Sequence, residues 1–513
     1  MNYSWQTIIP PDGNAGGTGK INILLVSLDC TAEASRTPML APAFLVAHAR
    51  RNPLTRNRVE FEIRQFSVEE AVENILEEIL NKKYHAIGFS CYVWNYMVYK
   101  QLVPLLKKIH PDTILIMGGQ QLLGQERHIF NQIPDLDILV YEDGELAFSE
   151  IVRQIIIGKY DWSAVGGILF RSGGEIIDTY TKKKYVKFAD IASPYLEGVI
   201  TGKHSNLYLE TYRGCPNRCA FCAWGKDKGQ EIDSLPLERV GRELSIIGSM
   251  GANTLGFFDS NFNFPHNRGE QILDLILANK QFKMLGTSIF AQHLHEDFVC
   301  QMSRIQTNIG VGLQSTDPGT NAKMRRQFSI EKMTAGVQLL KKYQLQFVLQ
   351  IIIGLPGDTY ESIGKTLNYA LQLSPPIIDA FRLMVLPGTG YRRRAEEFGI
   401  VYESLPDHYI ISHYNMNIVE INRAERMAQA LTVLYNLPKT RKEMFKQASE
   451  NNETTVDFCD AIGMFIDNFN LLDRKELRKG DIIRKKDEAT FLKILHDFKR
   501  FRKELAVKLL RNK

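Results

Sequence analysis

Long apolar runs are missing from this chain of 513 residues. No stretch approaches the roughly 20 apolar residues that a membrane-spanning helix needs. The first residues, Met1 to Lys20, hold no apolar segment of secretory-signal length. Cysteine is scarce and odd in number, seven in all, which argues against a disulfide-stapled scaffold and fits a reducing cytoplasm. Charge of one sign is not in excess, because the net value is only +5. So mild a balance does not mark a nucleic-acid binder, and neither a membrane nor a nucleic acid is expected as a partner. What is left, 44% hydrophobic and 24% charged, is ordinary for a globular protein. The length predicts two or three domains with sizeable cores.

The few cysteines are unevenly spent. Three fall within eight residues, Cys215, Cys219 and Cys222, in the string Arg213-Gly-Cys-Pro-Asn-Arg-Cys-Ala-Phe-Cys222. The preceding stretch, 206–212, reads as a strand, which places the cysteines on a loop at its carboxyl end. Three clustered thiolates suit an iron–sulfur cluster better than zinc, which generally takes four ligands in two pairs. Cys30, Cys91, Cys300 and Cys459 are isolated, and they read as buried apolar thiols.

Strand and helix patterns alternate twice along the chain. Short apolar runs at 21–27, 59–66, 86–90, 113–117 and 138–141 have helical patterns between several of them, at 68–82 and 99–110. That alternation predicts a doubly wound parallel sheet, whose ligands bind beyond the carboxyl strand ends. After a connector with a hairpin around Ser172-Gly-Gly174, alternation restarts at Asn206. It gives strands at 206–212, 254–260, 285–291, 307–314, 346–354 and 379–386, with helices at 236–250, 267–280, 296–305, 330–343 and 360–372. Six such units predict a partial barrel with its chemistry at the carboxyl strand ends. Beyond residue 396 the alternation gives way to helical spacing, at 424–435 and again from 465.

The cysteine string, on a loop leaving the first strand of such a barrel, resembles the radical S-adenosylmethionine (SAM) superfamily. The resemblance implies a [4Fe–4S] cluster on Cys215, Cys219 and Cys222, with SAM chelating the open iron. It also implies one-electron cleavage of SAM to a 5′-deoxyadenosyl radical, fed by a flavodoxin- or ferredoxin-type reductant. Elements similar to the family's SAM-binding motifs follow in order. They are Phe221 inside the cysteine string, Asp259 and Asn261 after the second strand, Gln314 and Ser315 after the fourth, and Gly354 and Pro356 after the fifth. Arg382 and Pro387-Gly-Thr389, at the sixth, are where that resemblance expects substrate contacts.

The first sheet resembles the cobalamin-binding domain that precedes many radical SAM domains. Its strand-end loops carry Ser90 and Tyr92, then Gly118 and Gly119, then Glu142, Gly144 and Glu145, which the resemblance makes cobalamin-site residues. Two departures stand out: Gly118-Gly119-Gln120 replaces a Gly-Gly-Pro, and Glu142-Asp-Gly-Glu145 replaces a Gly-Glu-Gly-Glu. The Asp-x-His-x-x-Gly of classical carriers is absent, since no histidine follows the first strand before His48. The cofactor is therefore expected without a histidine lower ligand.

The expected architecture is α/β. A flexible leader (1–19) precedes a Rossmann-like cobalamin-binding domain (20–160), a connector (161–205), a partial (β/α)6 radical SAM barrel (206–395) and a helical C-terminal domain (396–513). The resemblance implies a methyltransferase that acts on an unactivated carbon of a small-molecule or peptide substrate. The same scaffold also supports cyclisation or rearrangement without methyl transfer. A methylthiotransferase on tRNA pairs similar domains but needs three N-terminal cysteines, and only Cys30 and Cys91 precede Cys215. A non-catalytic cobalamin carrier or sensor is the non-enzymatic reading.

Overall fold

The computed structural model describes residues 20–30, 37–224, 232–472 and 488–511. The expectation for the leader lies outside the described residues.

Two parallel sheets dominate the fold. The first contains β1 (Ile21–Asp29), β2 (Val59–Ser67), β3 (Ala86–Ser90), β4 (Ile114–Gly118) and β5 (Ile138–Val140), in the order β2-β1-β3-β4-β5. Alternate residues of β1 enter two different cores. Ile23 and Leu25 pack with Phe44, Ala47 and Phe148, whereas Leu24, Val26 and Leu28 pack with Ile75, Tyr99 and Leu102. Helices Leu40–Arg50 and Glu145–Ile157 cover one face; Val72–Leu80 and Tyr96–Ile109 cover the other. A strand buried on both faces needs a nearly continuous apolar run, which is why these segments are legible in the sequence. The connector hairpin, β6 (Ile168–Ser172) and β7 (Glu175–Asp178), adds antiparallel to β5 and extends this sheet to seven strands.

The second sheet contains β8 (Asn206–Leu209), then β11 (Thr254–Phe257), β12 (Met284–Ile289), β13 (Gln306–Gln314), β14 (Phe347–Ile353) and β15 (Ile377–Arg382). All six are parallel and paired in chain order. Each crossover is helical: Leu237–Ser249, His266–Ala278, Glu296–Met302, Ile330–Lys342 and Tyr360–Leu373. Only one face is covered by these helices. Leu207, Leu255, Ile309, Leu349 and Ile378 face them, while the alternate positions face inward.

The expected strand 206–212 is shorter than its apolar pattern. It ends at Leu209, and Tyr212–Arg213 (β9) pairs instead with Asp233–Ser234 (β10) in a small antiparallel ladder. The chain turns there because the Asp259 carboxylate draws in the amides of Thr211 (2.7 Å) and Tyr212 (3.3 Å). The C-terminal region is mainly helical, with Ile418–Asn436, Pro438–Glu450, Thr455–Asn468 and Glu488–Arg511. A short antiparallel pair, β16 (Val401–Tyr402) and β17 (Ile410–Ser412), precedes these helices. Among the described residues, no helix is long and apolar enough to cross a membrane.

Candidate cofactor site between the two sheets

The carboxyl ends of the two sheets converge. Glu145, first residue of the helix after β5, meets Arg213 with Oε1 to Nη2 at 2.7 Å. Arg213 also donates through Nε to Glu210 at 3.2 Å, and its guanidinium lies over the rings of Phe44 and Phe188. The residue that opens the cysteine string is thus held by the first sheet's own helix and core. Nearby, burial and then the Asp29 charge push up the Tyr208 phenol. On the other side of the mouth, Gln121 after β4 bonds His408 ring to amide at 2.8 Å, and Gln125 accepts from Arg392 at 3.2 Å.

The cysteine loop is clamped through its backbone. Gly214 adopts φ +104, a conformation that favours glycine, and the loop then wraps around Ala220. Ala220 donates to Met324 O and accepts from Tyr391 N, each at 2.8 Å. A Cβ on Gly390 would lie 3.1 Å from Ala220 Cα, so the loop and its support are in tight contact. Each of the three sulfurs accepts an N–H. Asn261 Nδ2 donates to Cys215 at 3.6 Å, Arg326 Nη1 to Cys219 at 3.7 Å and the Trp224 amide to Cys222 at 3.4 Å. Burial pushes the Cys215 thiol up, while hydrogen bonds and the Arg326 charge oppose it. Donors aimed at sulfur are what thiolate ligands of an iron–sulfur cluster require. Among the described residues, no three His, Cys, Asp or Glu side chains gather closely enough to hold one metal ion. Arg326, Met324 and Tyr391 carry no local motif. Only their arrival at the loop reveals them.

The other expected site residues fall into two groups. Asp259 is 3% exposed, and besides the two amides it accepts from Thr211 Oγ1. Burial raises its carboxyl to about 7. Its oxygens are therefore engaged in shaping the chain before the cysteines. Ser315 donates to Asp358 at 3.3 Å, and Asp358 also accepts from Thr320 Oγ1 and the Leu355 amide. Burial likewise raises Asp358 to about 7. Gln314 is different. A bulge between Gly312 and Gln314 and a φ of +67 turn its side chain over Gly312. Its buried Oε1 has no hydrogen-bond partner, so it is open to a ligand. Gly354 (φ +84) and Pro356 form a buried turn beside Ile410 and Ile421. Phe221 is half-buried against the core.

In the first sheet, Ser90 and Tyr92 sit around Asn95, and Gly118 pairs with Ser90. The Asn95 amide group donates to Leu28 O and Ser90 O, and its oxygen accepts from the Tyr92 amide. Tyr92 stacks on Trp94 with centroids 4.6 Å apart. Ser27 Oγ and Gln121 Oε1 are buried here without partners, as a polar ligand's contacts would be. Glu142 pairs with Lys183 at 2.6 Å, and Gly144 precedes Glu145 at the helix start. His48, on the helix after β1, accepts from the Ala192 amide of the connector at 3.4 Å.

Some expectations change. Arg382 does not face a substrate: it is 4% exposed and bonded to Glu425, Asn422 and Ile410 O, because its position on β15 points toward the C-terminal helices. Other polar side chains near the strand ends are engaged within the chain: Arg392 lies over the Tyr402 ring, Arg393 donates to Gly388 O, Arg394 pairs with Glu397, His293 stacks on Phe290 and His295 pairs with Glu270. Cys91 and Cys459 are buried as expected, but Cys30 and Cys300 are exposed. Cys30 lies just past β1, and Cys300 occupies the outer side of a short helix that buries Phe298, Val299 and Met302.

Comparison with known proteins matches this layout. Residues 51–152 match the model of the B12 binding domain, and residues 209–370 match that of the Radical SAM superfamily. The chain is 24% identical over 359 residues to the cobalamin-dependent radical SAM methyltransferase TokK of Streptomyces tokunonensis, covering 65% of this chain and 51% of TokK. It is 25% identical over 305 residues to the 2-(S-pantetheinyl)-carbapenam-3-carboxylate methyltransferase of Streptantibioticus cattleyicolor, covering 56% and 44% respectively. The chain thus spans about half the length of these curated relatives. Among solved structures, the cobalamin-dependent SAM radical enzyme OxsB superposes with TM-score 0.63 at 14% identity, over 96% of this chain and 80% of OxsB. The radical SAM methyltransferase TsrM of Kitasatospora setae superposes with TM-score 0.59 at 15% identity, over 75% and 77%. The chain thus carries a match to the B12 binding domain ahead of a match to the Radical SAM superfamily.

Proposed function

We propose that this protein is a cobalamin-dependent radical SAM enzyme that methylates an unactivated carbon. The observation that carries the reading is the set of three cysteine sulfurs, each receiving an N–H, at a mouth where the carboxyl ends of both sheets meet. When bound, the cluster with SAM supplies one-electron chemistry and cobalamin supplies the methyl group.

In this reading Cys215, Cys219 and Cys222 hold the [4Fe–4S] cluster, and Asn261 and Arg326 orient two of its sulfurs. Gln314 offers its free Oε1 to SAM, while Ser315, Gly354, Pro356 and Phe221 shape the wall around it. Asp259 acts by holding Thr211 and Tyr212, and so sets the approach of the cysteine loop. Ser90, Tyr92, Gly118, Gly119, Glu142, Gly144 and Glu145 border the cobalamin cradle, with Ser27 Oγ free to bond the cofactor. Glu145 has a second task, since it ties the cradle to Arg213. Closing the two sheet ends on one another excludes water from the reacting groups. We assign residues 20–160 to the cobalamin domain, 161–205 to the connector, 206–395 to the barrel and 396–513 to the helical domain. A low-potential one-electron reductant and a cytoplasmic setting belong to the same reading.

Relatives also include a tRNA-2-methylthio-N(6)-dimethylallyladenosine synthase of Mannheimia succiniciproducens, 21% identical over 407 residues. The cysteine count before Cys215 argues against that activity here, as does the helical region from Ile418 onward. The test is anaerobic reconstitution followed by assay with methyl-labelled SAM. Cobalamin and four irons per chain, with SAM cleavage to 5′-deoxyadenosine, are expected. Bound cobalamin without SAM cleavage would leave only a carrier.

A further inference from the structure

The three clustered cysteines differ in depth. Cys215 is buried, whereas Cys219 and Cys222 are half-buried, so the sulfurs nearest solvent belong to the second half of the loop. Two exposed arginines stand there. Arg218 precedes Cys219 in the chain, one peptide and about 3.8 Å away from Cα to Cα. Arg325 reaches the same place from a distant segment. The Ala220 amide bonds Met324 O at 2.8 Å, and Arg325 is the next residue. Its successor, Arg326, donates to Cys219 Sγ at 3.7 Å. Each arginine therefore lies within two residues of the bond between Ala220 and Met324, a reach of about 7 Å along an extended chain.

The segment around Arg325 sorts its side chains by direction. Met324 is wholly buried, Arg326 turns in toward Cys219 and lies 4.9 Å from the Phe290 ring centroid, and Arg325 is exposed. Arg325 follows the helix Pro318–Lys323 and has φ +57. Glycine or asparagine is usual at such a left-handed position, and a long side chain is disfavoured there. Among the described residues, no hydrogen bond or ion pair engages the side chain of Arg218 or of Arg325. Glu397 feels the Arg325 charge, but Arg394 already holds it at 2.5 Å and is the main cause of its lowered carboxyl. Lys323, whose stem lies over Gly357, adds a further cation on the same helix. Positive charge is thus left facing solvent beside the half-buried sulfurs, where it raises the local potential.

We propose that Arg218 and Arg325 form the docking face for a small acidic electron-carrier protein of the flavodoxin class. The inference rests on the radical SAM reading, because the cysteines must hold a reducible cluster. The partner's reduced flavin gives up one electron, the cluster gains it, and no bond is made or broken. Redox encounters are small and short-lived, so a few complementary charges set their rate rather than a large apolar interface. This surface supplies those charges one residue from Cys219 on one side and one residue from the arginine on its sulfur on the other.

The experiment mixes full-length, anaerobically reconstituted protein with a reduced flavodoxin of strongly negative net charge and follows cluster bleaching by stopped flow. Wild-type reduction is expected to slow steeply as salt rises. Arg218→Glu and Arg325→Glu, made together, should slow it by about tenfold or more at low salt and flatten the salt dependence. Arg218→Lys with Arg325→Lys should keep most of the rate, which separates charge from folding. Photoreduced 5-deazariboflavin, a small uncharged reductant, should reduce wild type and all variants alike. An unchanged flavodoxin rate in the Glu variant would overturn the proposal. So would equal slowing with both reductants, which would assign the arginines to the cluster's own potential. Failure of deazariboflavin to reduce wild type counts against the proposed function. Isothermal titration of the same flavodoxin then decides the docking face: weaker association with the Glu variant upholds it, and equal association with both proteins, or none with wild type, removes it.

Discussion

The two parallel sheets use glycine for opposite ends. At the end of β4, Gly119 has φ +128, and a Cβ there would lie 2.3 Å from Cys91 O. That glycine closes chain against chain and seals the cradle floor. On the inner face of the second sheet, Gly286 has no neighbour closer than 3.9 Å, and its lack of a side chain leaves space. The first sheet is covered by helices on both faces and offers ligands only its rim. The second is covered on one face and offers an interior. In the proposed reading, the first architecture positions a cofactor at an edge and the second encloses reactants.

The comparison breaks most sharply at the cysteine loop. Cys219→Ala should abolish 5′-deoxyadenosine formation while cobalt content stays at the wild-type level, because the two sites belong to different sheets. Loss of both together would mean that the sheets do not divide the cofactors. Next in size is the pair of glycine changes. Gly119→Ala should destabilise the protein by roughly 1–3 kcal/mol or more from backbone strain alone and should release cobalamin. Gly286→Ala should shift stability by less than about 1 kcal/mol. Thermal melting and cobalt analysis of both variants check this contrast.

Glu145→Ala removes one carboxylate from Arg213, which keeps Glu210. A loss of roughly 2 kcal/mol is expected, below the 3–5 kcal/mol of a buried charge left wholly unpaired. Proteolysis between the domains should quicken if this pair couples the sheets, and unchanged cleavage would remove that role. The last prediction concerns pH and Asp358, whose folded pKa of about 7 lies above the ordinary carboxylate value. The native state then binds the extra proton, so this group's contribution to stability is greatest below about pH 4. It declines as pH rises toward 7. Asp358→Asn, which stays neutral, should flatten the fall in melting temperature between pH 5 and pH 8.

How much was legible depends on periodicity. Parallel strands buried on one or both faces must be apolar, and so Ile21–Asp29, Phe347–Ile353 and their neighbours could be located within a few residues. The cysteine spacing marked the loop proposed to hold the cluster for the same local reason, since one loop supplies all three sulfurs. Arg326 and Tyr391 were not legible, although they hold that loop. They reach it from distant segments, and no local pattern encodes such a meeting. Arg382 looked like a strand-end contact, but burial against Glu425 decided otherwise.

By itself, the sequence determined the two alternating α/β halves and the trio of sulfurs, because both are written in spacing along a single segment. Only the tertiary structure decided that Glu145 grips Arg213, that Asp259 serves the chain turn and that Arg325 stands exposed beside the cysteine loop. Those outcomes depend on which surfaces meet once each half has packed its core, and packing joins residues that lie far apart in the chain.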